Sequence, residues 1–150
     1  MIVHELSSGE CWEVLSRSHI GRLACARGDQ PYIVPISFSY DVLANCVFGF
    51  SAVGKKIDWM RENPKVCLEV EEVADRFNWT TIVVFGRYDE IGDTPDQRDV
   101  RARALKLFEE RSRWWLPAAA KLGTHQRSAV VVYRIHVESV SGRRTEQTDT

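Results

Sequence analysis

The sequence predicts a mainly β domain, an antiparallel barrel with helices packed on its outside. Two observations carry that expectation. Apolar and polar residues alternate in run after run along the chain. The runs mostly follow one another through short turns, in the order α-β-β-β-α-β-β-α-β, so hairpins dominate over β-α-β units.

Each element has its own signal. Ser7-Ser8-Gly9-Glu10 has the S-x-x-E form of a capping box. Cys11, Val14 and Leu15 follow at helical spacing, giving a first helix that ends near Ser18. Gly21 opens a strand running to Ala26, and Gly28-Asp29 supplies a turn. In the next run Tyr32, Val34, Ile36, Phe38 and Tyr40 share one face, while Ile33, Pro35, Ser37 and Ser39 share the other. A turn over residues 41–45 leads to Cys46-Val47-Phe48-Gly49-Phe50-Ser51, expected to pair with the preceding run as a hairpin. Lys55–Glu62 reads as a short helix with Ile57 and Met60 inward. Asn63-Pro64 ends it, because the residue before proline avoids the helical region. Val66, Leu68 and Val70 alternate in a fourth strand; Ile82, Val84, Gly86 and Tyr88 do so in a fifth, over residues 79–89. Thr94-Pro95-Asp96-Gln97 reads as a helix start, with Val100, Ala104, Leu107 and Phe108 as its buried stripe. A last strand is expected over residues 128–137.

The bulk numbers set bounds. With 150 residues the chain is one domain, assigned to residues 1–141. Residues 142–150 carry no large apolar side chain and are expected to form a disordered polar tail. The net charge of −1 gives no global pull toward nucleic acid or an anionic membrane, and no aromatic-basic stripe lies along a strand. No apolar run reaches the ~18 residues that span a bilayer. The first residues lack the basic start and apolar stretch of a signal peptide, so a cytoplasmic location is the simplest expectation. Cys11, Cys25, Cys46 and Cys67 contain no C-x-x-C pair and read as small buried hydrophobes. His4, His19, His125 and His136 lack metal-ligand spacing, and no metal is expected.

Three places suggest chemistry. In Ser51-Ala52-Val53-Gly54-Lys55-Lys56 a strand ends in a hydroxyl, a glycine follows, and two lysines stand where a helix begins. Free N–H groups and the positive helix end favour an anion there. Lysines at that end oppose the dipole, an imbalance that a bound phosphate would repair; two solvated lysines on a turn are the plain alternative. Pro35 interrupts a well-alternating strand, so that strand belongs at an edge or a bulge. Its free backbone groups could read a flat heterocycle, or the proline could simply protect the edge. Trp79-Thr80-Thr81 sets two hydroxyls beside a large aromatic. Trp114-Trp115, preceded by Arg111 and Arg113, could cap a planar ligand or serve packing.

Taken in order, four features resemble the flavin-binding split β-barrels related to pyridoxamine 5′-phosphate oxidase, and among them the nitroimidazole-resistance-type flavoproteins. They are Gly21-Arg22-Leu23-Ala24; Val34-Pro35-Ile36-Ser37-Phe38; Gly54-Lys55-Lys56 with Asn63-Pro64; and Trp79-Thr80-Thr81 leading to Gly86. The resemblance runs from about Leu6 to about Gly142. It implies a homodimer with FMN in the clefts between two subunits. Val34, Pro35, Ile36 and Ser37 would run along the isoalloxazine, and Phe50 and Ser51 would lie near the ribityl chain and phosphate. Lys55 and Lys56 would hold the phosphate, Thr80 and Thr81 would hold the flavin edge or phosphate, and the segment 134–143 would reach the partner's site. The deazaflavin F420 fits the same barrel. Where the oxidase carries arginines for pyridoxal phosphate, this chain has Val34-Pro35-Ile36-Ser37, so vitamin B6 oxidation is not implied.

The expected function is therefore a flavin-dependent oxidoreductase passing hydride or electrons between a reduced donor and a small molecule. A flavin or deazaflavin module without turnover is the alternative, and a plain dimeric interaction protein a third. No catalytic acid or base stands out; His125 and His136 qualify only by residue type.

Overall fold

The computed structural model describes residues 1–110 and 130–148. Eleven elements follow in order: β1 (Ile2–Glu5), α1 (Ser8–Arg17), β2 (Ile20–Arg27), β3 (Gln30–Ser37), β4 (Ser39–Asp41), β5 (Cys46–Ala52), α2 (Lys55–Glu62), β6 (Lys65–Val73), β7 (Trp79–Ile91), α3 (Arg98–Glu109) and β8 (Val130–Glu146). The expected mainly β, antiparallel architecture is what the chain adopts.

The strands lie in the order β3-β2-β6-β7-β8-β5-β4, with β1 added on β8. β3 and β4 occupy opposite ends of that order, yet Phe38 alone separates them in the chain. The sheet must therefore curl until its two edges meet, which makes a barrel with a split between β3 and β4. Alternation then fixes which side chains fill it. Val34 packs against a core that includes Leu23, Ile36, Phe38, Val47, Leu68, Ile82, Val84, Tyr133 and Ile135. α1 contributes Cys11, Val14 and Leu15 to this core, and α2 contributes Ile57, Trp59 and Met60.

The two helices close opposite ends. At the end of α1, the Ser18 N–H returns to Val14 and the Phe38 N–H donates to the His19 carbonyl. At the other end, the Asn63 amide at the close of α2 donates to the Ala26 carbonyl at 3.2 Å, and the Tyr88 N–H donates to Pro64. α1 carries the expected capping box in full, Ser7 with Glu10. α3 lies on the outside of the barrel, where Ala104 and Phe108 cover Cys46, Phe48, Ile91 and Val132. Asp41, 3% exposed, pairs with Arg103 and fastens this helix to β4. The Arg103 guanidinium holds the Asp41 carboxyl below the usual range, while burial and Asp41 push the Cys46 thiol up to about 11.

Two glycines are required by close approach. A Cβ on Gly49 would stand 2.3 Å from the Tyr133 ring, and one on Gly86 would stand 2.5 Å from the His136 carbonyl oxygen. Gly86 lies at a bulge, where Phe85 faces Ser139 but Gly86 faces Val137. Glu138 is the extra residue, and it lets β8 bend between its two sets of partners.

Four expectations need correction. The run over residues 32–40 is two strands, and only β4 pairs with β5; β3 pairs with β2, and the longer partner of β5 is β8. The cause is the curl at Phe38, which sends β3 to the far edge. The capping signal at Thr94 closes a separate turn: the Gln97 N–H donates to Thr94, the Gln97 side-chain oxygen accepts from the Gly92 N–H at 2.7 Å, and α3 starts at Arg98. The stretch 142–146 is not a disordered tail but the end of β8. It is paired with β7 on one side and β1 on the other, and Thr145, 2% exposed, donates to the Phe77 carbonyl at 2.6 Å. Ladder bonds and one buried hydroxyl do there what apolar side chains do elsewhere. Cys67 is half-exposed, whereas Cys11, Cys25 and Cys46 are buried and all four are free thiols. No helix among the described residues is long and apolar enough to cross a membrane, and none of those residues form a metal-binding cluster.

Candidate functional site

β3 is an edge strand, as Pro35 implied. The Phe38 N–H bonds to His19 and the register pairs Ile36 with Gly21 and Val34 with Leu23. In an antiparallel ladder every second residue turns its N–H toward the neighbour, so Phe38, Ile36 and Val34 bond to β2. The backbone groups of Ile33, Pro35 and Ser37 face the open side. Pro31 and Pro35 both fall at positions where no ladder donor is lost. Alternation also divides the four β3 residues. Ile36 (buried) and Val34 (half-buried) turn into the barrel, while Pro35 and Ser37 turn outward.

α2 begins beside the start of this edge. Its N-terminal Gly54 is extended and offers no side-chain cap, so the amides of the first turn have no side-chain partner from that residue. Lys55 Nζ lies 4.6 Å from the centre of the Tyr32 ring on β3 and 4.9 Å from that of Trp59. Arg27, from the end of β2, stacks on the other ring contact of Trp59 at 5.1 Å and pairs with Glu62 at 3.1 Å. Arg61 pairs with Glu90 of β7. Lys56 is half-buried, and burial pulls its ammonium below the ordinary lysine range. Among the described residues no carboxylate lies within 4.0 Å of either lysine. A half-buried cation without an anion, at the head of a helix, is chemically suited to a phosphate group.

Other expected site residues scatter. Ser51 leads into this loop, and its hydroxyl donates to the Ala52 carbonyl at 2.8 Å. Phe50 turns outward and packs edge-on against Phe108, ring centres 4.5 Å apart, so its ring belongs to the α3 contact. Thr80 and Thr81 point to opposite sides of β7. Thr80 is buried and accepts from Arg144 Nε at 3.2 Å, in a cleft of about 410 Å³ with Trp79 and Arg144. Thr81 lines a separate cleft of about 450 Å³ with Glu5, Ser141 and Arg143 on the open outer face. Three strand spacings, roughly 14 Å of sheet, separate β7 from β3, so one chain does not bring Thr81 to the Pro35 edge. Between them Arg22 of β2 reaches Glu69 at 3.9 Å and Glu71 at 3.1 Å, and burial together with Glu71 raises the Glu69 carboxyl.

Sequence reasoning missed Tyr32 and Trp59 as parts of the site. Trp59 stands four residues after Lys55 on one helix face, a spacing that could have flagged the contact. His136 lies 3.3 Å from Asp89, which also holds Arg134, away from the β3 edge. His125 and the Arg111, Arg113, Trp114 and Trp115 group lie outside the described residues.

A split antiparallel barrel whose open edge strand meets a basic helix end defines the class. The model of the pyridoxamine 5′-phosphate oxidase family matches residues 7–144, and the chain belongs to that family. It is 38% identical over 146 residues to an uncharacterized protein of Rhizobium meliloti, covering 95% of each chain. Among solved structures it is similar to an FAD-binding protein from Mesorhizobium loti, with 38% identity, TM-score 0.82, and 97% and 100% of the two chains covered. A candidate 5-nitroimidazole antibiotic resistance protein from Bacteroides thetaiotaomicron shares the fold at 14% identity and TM-score 0.66, over 98% and 93% of the chains.

Proposed function

We propose that this chain binds a flavin nucleotide through its phosphate at the head of α2, with the ring along the open edge of β3, and acts as a flavin-dependent oxidoreductase. The observation that carries the reading is Lys56, a half-buried cation with no carboxylate near it among the described residues. FMN is the flavin we assign to this site, the phosphate at the end of its ribityl chain being the group the α2 cation would hold. FAD carries a phosphate at the same place, joined on to AMP, and the similar Mesorhizobium loti protein is described as FAD-binding. When bound, the flavin supplies hydride chemistry; the chain positions it with β3 backbone groups and the α2 cation.

A homodimer is part of this reading. Ile33, Phe85 and Ile20 are 62%, 58% and 51% exposed on the uncovered outer face, an apolar area that a second copy would bury. Thr81 and Arg143 on that face would then reach the flavin held by the partner.

An absorbance spectrum of the purified protein tests the reading, followed by mass determination of any released cofactor. A two-band flavin spectrum that survives gel filtration supports it, and the mass separates FMN, FAD and F420. Protein that stays colourless with excess FMN, FAD or F420 sinks it. Oxidation of a reduced nicotinamide by the loaded protein separates an enzyme from a carrier.

A further inference from the structure

Where β6 and β8 end and β7 begins, a cleft of about 410 Å³ is lined by Glu72, Val73, Ala74, Thr80, Arg144 and Glu146 among others. Its volume lies within the roughly 300–1,000 Å³ of small-molecule clefts. Arg144 is half-buried, and its Nε donates to Thr80 Oγ1 at 3.2 Å. Its two terminal nitrogens meet no acceptor among the described residues, and no carboxylate of those residues lies within 4.0 Å of it. A guanidinium with its fork open suits a carboxylate, which it grips with two parallel bonds.

The surrounding charges narrow the ligand further. Glu72 accepts from Arg17 at 2.6 and 2.8 Å, Glu10 closes the capping box of α1, and Glu146 lies 3.6 Å from His4. The Arg17 bonds, and more weakly Arg144, hold the Glu72 carboxyl below the usual range. Arg17 and Arg144 thus balance Glu10 and Glu72, so a bare anion would add uncompensated charge here, most of all beside Glu146. A ligand with one charge of each sign would not. Glu146 follows Arg144 by two residues in β8, so the two side chains leave the same side of the strand about 7 Å apart. A carboxylate on Arg144 and an ammonium toward Glu146 suit that spacing, and Val73 and Ala74 add apolar lining.

We propose that this cleft binds a free α-amino acid with an apolar side chain, Arg144 gripping its carboxylate, Thr80 orienting Arg144, and Glu146 facing the ammonium. The assignment concerns a different place from the head of α2 and does not rest on the flavin reading.

The probe is L-valine, titrated into the full chain and followed at the NMR signal of the Arg144 Nε–H. Two half-molecules serve as controls: 3-methylbutanoate, which lacks the ammonium, and 2-methylpropylamine, which lacks the carboxylate. The Arg144 signal should shift saturably with L-valine, and each control should bind about tenfold or more weakly, as loss of one charge-assisted bond implies. Arg144→Gln should weaken L-valine by about tenfold or more, read at the Thr80 amide. Glu146→Gln changes an exposed side chain and should keep the fold while lowering L-valine to the affinity of 3-methylbutanoate. An Arg144 signal unmoved by L-valine, or an affinity unchanged in Arg144→Gln, overturns the site. Controls that match L-valine, or a Glu146→Gln variant that binds it as tightly as wild type, overturn the amino-acid assignment.

Discussion

The outer surface of the barrel falls into two halves that differ in what covers them. Over β4, β5 and the start of β8, Cys46, Phe48 and Val132 lie beneath Ala104 and Phe108, and Asp41 reaches out to Arg103. Over β3, β2, β6 and the start of β7, side chains of similar character stay open, Ile33 and Phe85 most of all. Both halves alternate the same way in sequence. Among the described residues, then, one outer face is completed by the chain's own helix and the other is left open.

The comparison breaks most sharply at Phe108. Phe108→Ala should cost about 3–5 kcal/mol by urea denaturation, because the ring is buried and contacts Phe50. A loss below 1 kcal/mol would mean that α3 merely lies on the sheet. Arg103→Gln should cost roughly 1–3 kcal/mol by leaving the buried Asp41 carboxylate short of its main partner. Asp41 has a depressed pKa in the folded chain, so its contribution is present above the unfolded value of 3.8 and fades as pH falls through the lower folded value. Arg103→Gln removes the chief cause of that depression. Acid unfolding followed by circular dichroism should then begin at a higher pH than in wild type, and an unmoved acid limb would show the pair to be unimportant. The smallest effect on the fold belongs to the open half. Phe85→Glu should change folding stability by no more than about 0.5 kcal/mol, as surface changes usually do. The proposed homodimer through this face predicts that the same variant scatters light as a single chain where wild type scatters as two; equal masses for the two proteins count against this face as the interface.

Legibility followed the range of the interaction. The capping box at Ser7, the helix stop at Asn63-Pro64 and the shared face of Tyr32, Val34, Ile36, Phe38 and Tyr40 are local patterns, and each is readable in the sequence. Gly28 (φ 55) and Asn45 (φ 47) occupy left-handed backbone in the turns where short punctuating residues predicted them. What depends on distant pairing was not readable. Nothing near Arg143–Glu146 announces that β1 and β7 flank it, and nothing near Phe38 announces a switch between sheet edges. At the site the lysine pair was legible because it breaks a helix rule. The split of Thr80 from Thr81, the turn of Phe50 toward α3 and the ring contacts of Lys55 all required the packed arrangement.

The place of β8 has a consequence for synthesis. It is made after every other described strand, yet it stands between β7 and β5 and also carries β1. Until residues 130–146 emerge, the β4–β5 hairpin has no sheet to join and residues 2–5 have no partner. The nascent chain thus presents two unjoined β pieces with open edges, a state prone to pairing between chains. A chain cut short before Arg143 would still offer residues 130–136 to β5 but would leave residues 2–5 without their partner, so a break late in the chain is felt at a segment made long before it.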